Sequence, residues 1–157
     1  MSPREFEEKA LPPLRLAARR MSVPDQPSVG AVVGGLFDAA AEAIGPAAAR
    51  AGTAIALYDM DGDGVHITVG FTVDGPTPGR AEVLEIPGVP HALCTVHLGS
   101  PEGIGSSWAA LHEALAARGL TPTWPSREVY REGEPEDPSG WVTELQQGFD
   151  PAGRRTD

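Results

Sequence analysis

The sequence predicts an α+β fold in which a strand–helix–strand–strand unit occurs twice, forming a curved antiparallel sheet with two helices on one face. Three observations carry this. Two stretches place apolar residues at helical spacing, each is followed by β-branched and aromatic runs bounded by Gly and Pro, and a turn at Pro87–Pro90 divides the chain near its middle. Laid side by side, GGLFDAAAEAI stands over SSWAALHEALA, ALYDM over EVYRE and ITVGF over WVTEL, so that Tyr58 falls against Tyr130. A duplication of this kind has its natural binding site in the groove at the pseudo-twofold axis.

The first half opens after Pro12 and Pro13 with a strand over Leu14–Val23, broken by Pro24, Asp25 and Pro27. Ser28 is a suitable N-cap for the next element. Val29, Val32, Val33, Leu36, Phe37, Ala40 and Ile44 recur at helical spacing, and Gly45-Pro46 ends the helix. Gly30, Gly34 and Gly35 weaken it by up to about 1 kcal/mol each relative to alanine, and they also permit close approach to another element. Thr53–Tyr58 and Val65–Val73 read as a hairpin around the loop Asp59–Gly64, and a Pro/Gly loop over Gly75–Gly79 leads to a strand over Arg80–Ile86.

The second half repeats the order. His91–Leu98 is a strand, and Ile104, Trp108, Leu111 and Leu115 then make a helical apolar face with His112, Glu113 and Arg118 away from it. Gly119 suits a left-handed C-terminal cap. Ser126–Arg131 is a strand, Glu132–Gly140 a polar loop and Trp141–Gln147 the closing strand. Residues 1–9 are expected to be an N-terminal extension, 10–148 one domain and 149–157 a flexible tail.

A chain of 157 residues can bury its own core without staples. Twelve basic against twenty-two acidic side chains give a net charge of −10, a field that repels phosphate backbones, so nucleic acid is not an expected partner. Cys94 stands alone and cannot form an internal disulfide; within its apolar strand it reads as a buried, inert thiol. No apolar run approaches the roughly 20 residues of a membrane span, and the charged start MSPREFEEKAL lacks a secretory apolar region. A cytoplasmic protein without membrane contact is the expectation.

Several motifs fall short of the chemistry they suggest. Asp59-Met-Asp-Gly-Asp-Gly begins like a calcium loop, but Gly70 stands where the bidentate glutamate is required and the flanks read as strands. His66, His91, His97 and His112 show no metal-ligand spacing with Cys94 or the acids, so no metal or other cofactor is expected. Ser106-Ser107 begins a helix without a nearby histidine in sequence, which leaves no serine–histidine–acid arrangement. The glycine-rich stretch Gly99–Gly105 could hold an anion at a helix start, yet it lacks the lysine and spacing of a P-loop.

The stretch from Trp108 to Gln147 carries a resemblance. Trp108-Ala-Ala-Leu111 on the second helix, Pro125-Ser-Arg-Glu-Val-Tyr130, and Trp141-Val-Thr-Glu144-Leu together resemble the GyrI-like small-molecule-binding domain, also found as the effector-binding part of multidrug-sensing regulators. The pattern covers residues 10 to 148, more strongly in the second half. Regulators of this kind add a helix-turn-helix module; here the pocket domain takes up nearly the whole chain, so the resemblance implies ligand binding without the DNA-reading half.

Alternation along the strand leaves the orientation of Glu128 open. Glu128 and Tyr130 point to one face, but Val129 is the apolar member, and glutamate is seldom fully buried unless paired. The resemblance implies that Glu128 lies at the floor of the pocket. An apolar pocket disfavours the charged form of a carboxylate and a bound cation restores it. Glu144 on the next strand is expected within reach, and Tyr58, Phe71, Trp108, Tyr130 and Trp141 are candidate aromatic walls, with Phe37 and Trp124 assigned to the core. The implied ligands are hydrophobic, often cationic small molecules. Two rival functions follow from the resemblance: a hydrolase of strained cyclopropane-containing genotoxins with Glu128 as general base, and a gyrase-inhibitor-like protein interaction module.

Overall fold

A computed structural model of the chain describes residues 6–25, 29–45, 52–61, 64–73, 82–100, 103–134 and 137–151. The fold is α+β, with antiparallel strand pairs within each of its two units. The chain divides into two compact units, one of residues 12–88 and one that combines residues 1–11 with 89–157. One of the two boundaries, between residues 88 and 89, falls within the expected Pro87–Pro90 turn.

In the first unit, strand β2 (Leu14–Val23) leads to helix α1 (Val29–Ile44), the hairpin β3 (Ala54–Asp61) and β4 (Gly64–Thr72), and strand β5 (Glu82–Ile86), laterally ordered β3-β4-β2-β5. The helix packs on β2 and β4. Leu36, Ala40 and Ile44 are its buried residues among those described, at the spacing the sequence predicts. Phe71 meets Phe37 edge-on at 5.9 Å and joins Ala17, Ile44, Ala41 and Val73 in an apolar cluster. β3 runs on to Asp61, into the expected Asp59–Gly64 loop, and Asp61 pairs with Gly64 of β4, so strands flank the calcium-loop resemblance on both sides; Gly62 and Asp63 lie outside the described residues.

In the second unit, strand β6 (Val89–Leu98) leads to helix α2 (Ile104–Ala117), the short β7 (Thr121–Pro122), and the long pair β8 (Ser126–Glu134) and β9 (Asp137–Asp150). Strand β1 (Glu7–Leu11) completes it, and the lateral order is β1-β6-β9-β8, with β7 on β9. This is the β5-β2-β4-β3 order of the first unit repeated. The fourth strand is exchanged along the chain: β1 precedes β2 yet pairs with β6, and β5 precedes β6 yet pairs with β2.

Three expectations change. The N-terminal segment is not a mere extension, because Glu7, Glu8 and Lys9 form ladder pairs with Cys94, Leu93 and Ala92. The expected polar loop Glu132–Gly140 is mostly strand, since β8 and β9 continue pairing as far as Glu134 and Asp137. The closing strand runs on to Asp150, two residues into the expected tail 149–157. Ser28, the Gly75–Gly79 loop, Arg80 and residues 152–157 lie outside the described residues.

Leu111 and Leu115 of α2 pack with Leu93, Leu120, Leu145 and Phe149. The helix ends as the sequence predicts. Gly119 has φ 71°, its N–H donates to the Ala116 carbonyl at 3.1 Å, and the Leu120 N–H donates to the Leu115 carbonyl at 3.0 Å. The apolar contact of Leu120 with Leu115 completes this stop. A Cβ at a left-handed position costs about 1–2 kcal/mol. Gly119→Ala should therefore lower unfolding free energy in urea by about 1 kcal/mol, while an unchanged midpoint would show that the helix stop does not depend on this conformation.

Candidate ligand site around Glu128

Strand β8 is buried on both faces: Arg127, Glu128 and Val129 are 2%, 4% and 5% exposed. Alternation could not choose between them because no side of the strand faces water. The ladder fixes the faces instead. Glu128 pairs with Leu145 and Tyr130 with Thr143, so both share the face of Leu145, which packs under α2.

On that face the Glu128 carboxylate is held at both oxygens. The Trp108 indole N–H donates to Oε2 at 2.7 Å, and the Tyr130 hydroxyl donates to Oε1 at 2.6 Å. Trp108 comes from the first turns of α2, whereas Tyr130 reaches back along its own strand. Both are neutral donors that orient the carboxylate without themselves bringing a countercharge. Trp141 of β9 stands edge-on to Tyr130 at 6.3 Å. Glu128, Tyr130, Trp108 and Trp141 are thus brought together within one unit.

Tyr58 lies buried on β3 and Phe71 on β4, in the other compact unit, where Phe71 packs against Phe37. Glu144 pairs with Val129, which places it on the opposite face of the sheet from Glu128. Its expected approach to Glu128 fails for a simple reason: neighbours in an antiparallel ladder share a face, and the register sets Leu145 beside Glu128.

On that opposite face Glu144 accepts hydrogen bonds from Lys9 Nζ and from Arg131, both at 2.9 Å, and from the Gln146 amide. Burial pushes its carboxyl upward, but the bonds from Lys9, Arg131 and Gln146 and the Lys9 charge outweigh it and hold the group below the ordinary glutamate value. Burial works against the Lys9 ammonium, and the bond and charge of Glu144 raise it above its usual value nonetheless. Burial, reinforced by the Glu144 charge, pushes the Cys94 thiol up to about 12, which makes it the inert thiol the sequence implies.

A histidine absent from the sequence neighbourhood of Ser107 is supplied by β6. His97 Nδ1 lies 2.7 Å from Ser107 Oγ and its Nε2 lies 2.8 Å from the Ser100 carbonyl. A carbonyl only accepts, so in the neutral ring Nε2 carries the hydrogen and Nδ1 accepts from the serine. Ser107 is 1% exposed, and the second histidine nitrogen meets backbone rather than an acid. This pair ties the loop before α2 to β6, one residue from Trp108, and has no nucleophile's geometry.

Two further residues beside the site escape sequence reading. His112 Nε2 lies 3.0 Å from the Oε1 of Gln147, which is fully buried on β9. Trp124, expected in the core, is 37% exposed and meets the His112 ring. The i, i+4 spacing of Trp108 and His112 was the available signal, since it stacks two rings on one side of a helix. Among the described residues no group of three or more His, Cys, Asp or Glu side chains could hold a metal, and no helix is long and apolar enough to cross a membrane.

The lowered Glu144 value predicts acid sensitivity. Its contribution is fully present above the ordinary glutamate value of 4.5 and is lost as pH falls through the lower folded value. Glu144→Gln should therefore cost about 1 kcal/mol at neutral pH and less below pH 4, read from urea unfolding across that range. An equal loss at both pH values would rule out this linkage.

Compared with known proteins, residues 4–146 match the model of the GyrI-like small molecule binding domain. No curated protein matches significantly. Among solved structures, the C-terminal domain of EcmrR superposes with a TM-score of 0.68 at 20% identity, covering 94% of this chain and 98% of that domain. SAV2435 bound to tetraphenylphosphonium gives 0.69 at 13% identity, with 94% and 95% covered. A hydrolase from Listeria innocua gives 0.61 at 13% identity, with 94% and 92% covered. At these identities the superpositions establish the shared fold, and the family match adds its membership: this chain belongs to the GyrI-like small-molecule-binding domain family.

Proposed function

We propose that this protein binds hydrophobic, often cationic small molecules, with Glu128 as the charge-recognising group and Trp108, Tyr130 and Trp141 as aromatic surroundings. The observation that carries this reading is a carboxylate 4% exposed and oriented at both oxygens by neutral aromatic donors. A cation about 4 Å from such a group gains roughly 4 kcal/mol at an effective dielectric near 20. An aromatic face adds roughly 0.5–2 kcal/mol without demanding one ligand shape. The relative SAV2435, bound to the lipophilic cation tetraphenylphosphonium, supports the same chemistry.

A second reading rests on the Tyr130 hydroxyl 2.6 Å from Glu128 Oε1 and on the fold likeness to a Listeria innocua hydrolase. In it, Glu128 acts as general base, taking a proton from a water whose oxygen bonds to a cyclopropane carbon while the strained C–C bond breaks and its electron pair passes to the electron-withdrawing group conjugated with the ring.

Titration with tetraphenylphosphonium, followed by tryptophan fluorescence, tests the first reading. Glu128→Gln should weaken the cation at least about tenfold, or 1.4 kcal/mol, and leave a neutral aromatic ligand of similar size little changed. Equal affinity of wild type and variant for the cation removes Glu128 from charge recognition. For the second reading, mass spectrometry of a cyclopropane-containing alkylator should show loss with wild type and none above buffer with Glu128→Gln; no loss with wild type excludes it.

A further inference from the structure

The rings around Glu128 continue outward from Trp108. His112 lies one helical turn later, its ring centre 5.8 Å from that of Trp108 and 6.3 Å from that of Trp124. The His112 ring and the loop that carries Trp124 are held in place without being buried. Gln147 donates its amide to the Thr123 carbonyl at 2.7 Å and to the Gly148 carbonyl at 3.1 Å, which leaves Oε1 to accept from the His112 Nε2–H. The Thr123 N–H donates to the Gly148 carbonyl at 2.9 Å. A side chain at Gly148 would bring a Cβ to 2.6 Å from Thr123 Oγ1, so glycine allows the Trp124 loop to sit this close to β9. Yet His112 is exposed, Trp124 is 37% exposed and Trp108 is half-buried.

We infer that Trp124 and His112 form an outer stacking subsite, continuous through Trp108 with Glu128, for a flat aromatic arm of a ligand whose cationic centre sits at Glu128. This rests on the cation-binding reading and extends it to a ligand class, lipophilic cations that carry a separate planar ring system. A His112 ring already held by Gln147 and a Trp124 loop already tied to β9 lose little freedom when a ligand stacks there, so the stacking shows up in affinity. A ring pair of this kind is worth roughly three- to tenfold in affinity.

Calorimetric titration with two phosphonium cations separates the parts. Methyltriphenylphosphonium reports the inner site, and anthracenylmethyl-triphenylphosphonium adds a flat arm to the same charge. Wild type should bind the armed cation about three- to tenfold more tightly. Trp124→Ala and His112→Ala should each remove most of that increment while keeping the affinity for the methyl compound; Trp124→Phe should retain it. Glu128→Gln should weaken both cations and leave their ratio unchanged. An arm increment that persists in Trp124→Ala and His112→Ala overturns the subsite and leaves the inner site standing. If wild type binds neither phosphonium, the cation reading falls and the subsite with it.

Discussion

A glutamate removed from water must be given hydrogen-bond donors, and the arrangement of residues around Glu128 meets that requirement with two aromatic rings. Leaving such a group unsatisfied costs more than the net gain of an ordinary hydrogen bond. Trp108 and Tyr130 satisfy it from two directions, one across from the helix and one along the strand. Their rings bring apolar surface to the same place, so the groups that solvate the carboxylate also exclude water from it. The position of Trp108 depends in turn on α2, whose start is tied to β6 through His97 and Ser107 and whose end is set by Gly119 and Leu120.

The two glutamates of the β8–β9 pair show how one ladder gives the same side chain two different surroundings. Glu128 faces the helix and is met by neutral donors, whereas Glu144 faces the other way and is met by Lys9 and Arg131. A carboxylate between an ammonium and a guanidinium is already compensated and serves as a tie between β1, β8 and β9. One held by an indole and a phenol is oriented rather than neutralised by them. The register alone separates these cases, because a one-residue slip would exchange the two faces.

Much of the fold was legible. The spacing of Leu36, Ala40 and Ile44 marked α1, Leu111 and Leu115 marked α2, and Gly119 marked where α2 stops, because helical periodicity and left-handed glycine are local properties of the chain. The strand at Glu7–Leu11 was not legible, since its charged sequence pairs with a β6 that lies far along the chain. Nor was the extension of β8 and β9 through a polar stretch, where pairing in the hairpin outweighs composition.

The sequence by itself determined the repeated order of strands and helices and, through its family motif, named Glu128, Tyr130, Glu144, Trp108 and Trp141 as candidates, since periodicity and motif are written in neighbouring residues. Only the tertiary structure decided that β8 is buried on both faces, that Glu144 turns away from Glu128, and that His97 finds Ser107 and Gln147 finds His112. Those outcomes depend on ladder register and on a helix laid across a sheet, which join residues distant in the chain and leave no periodic trace within any one segment.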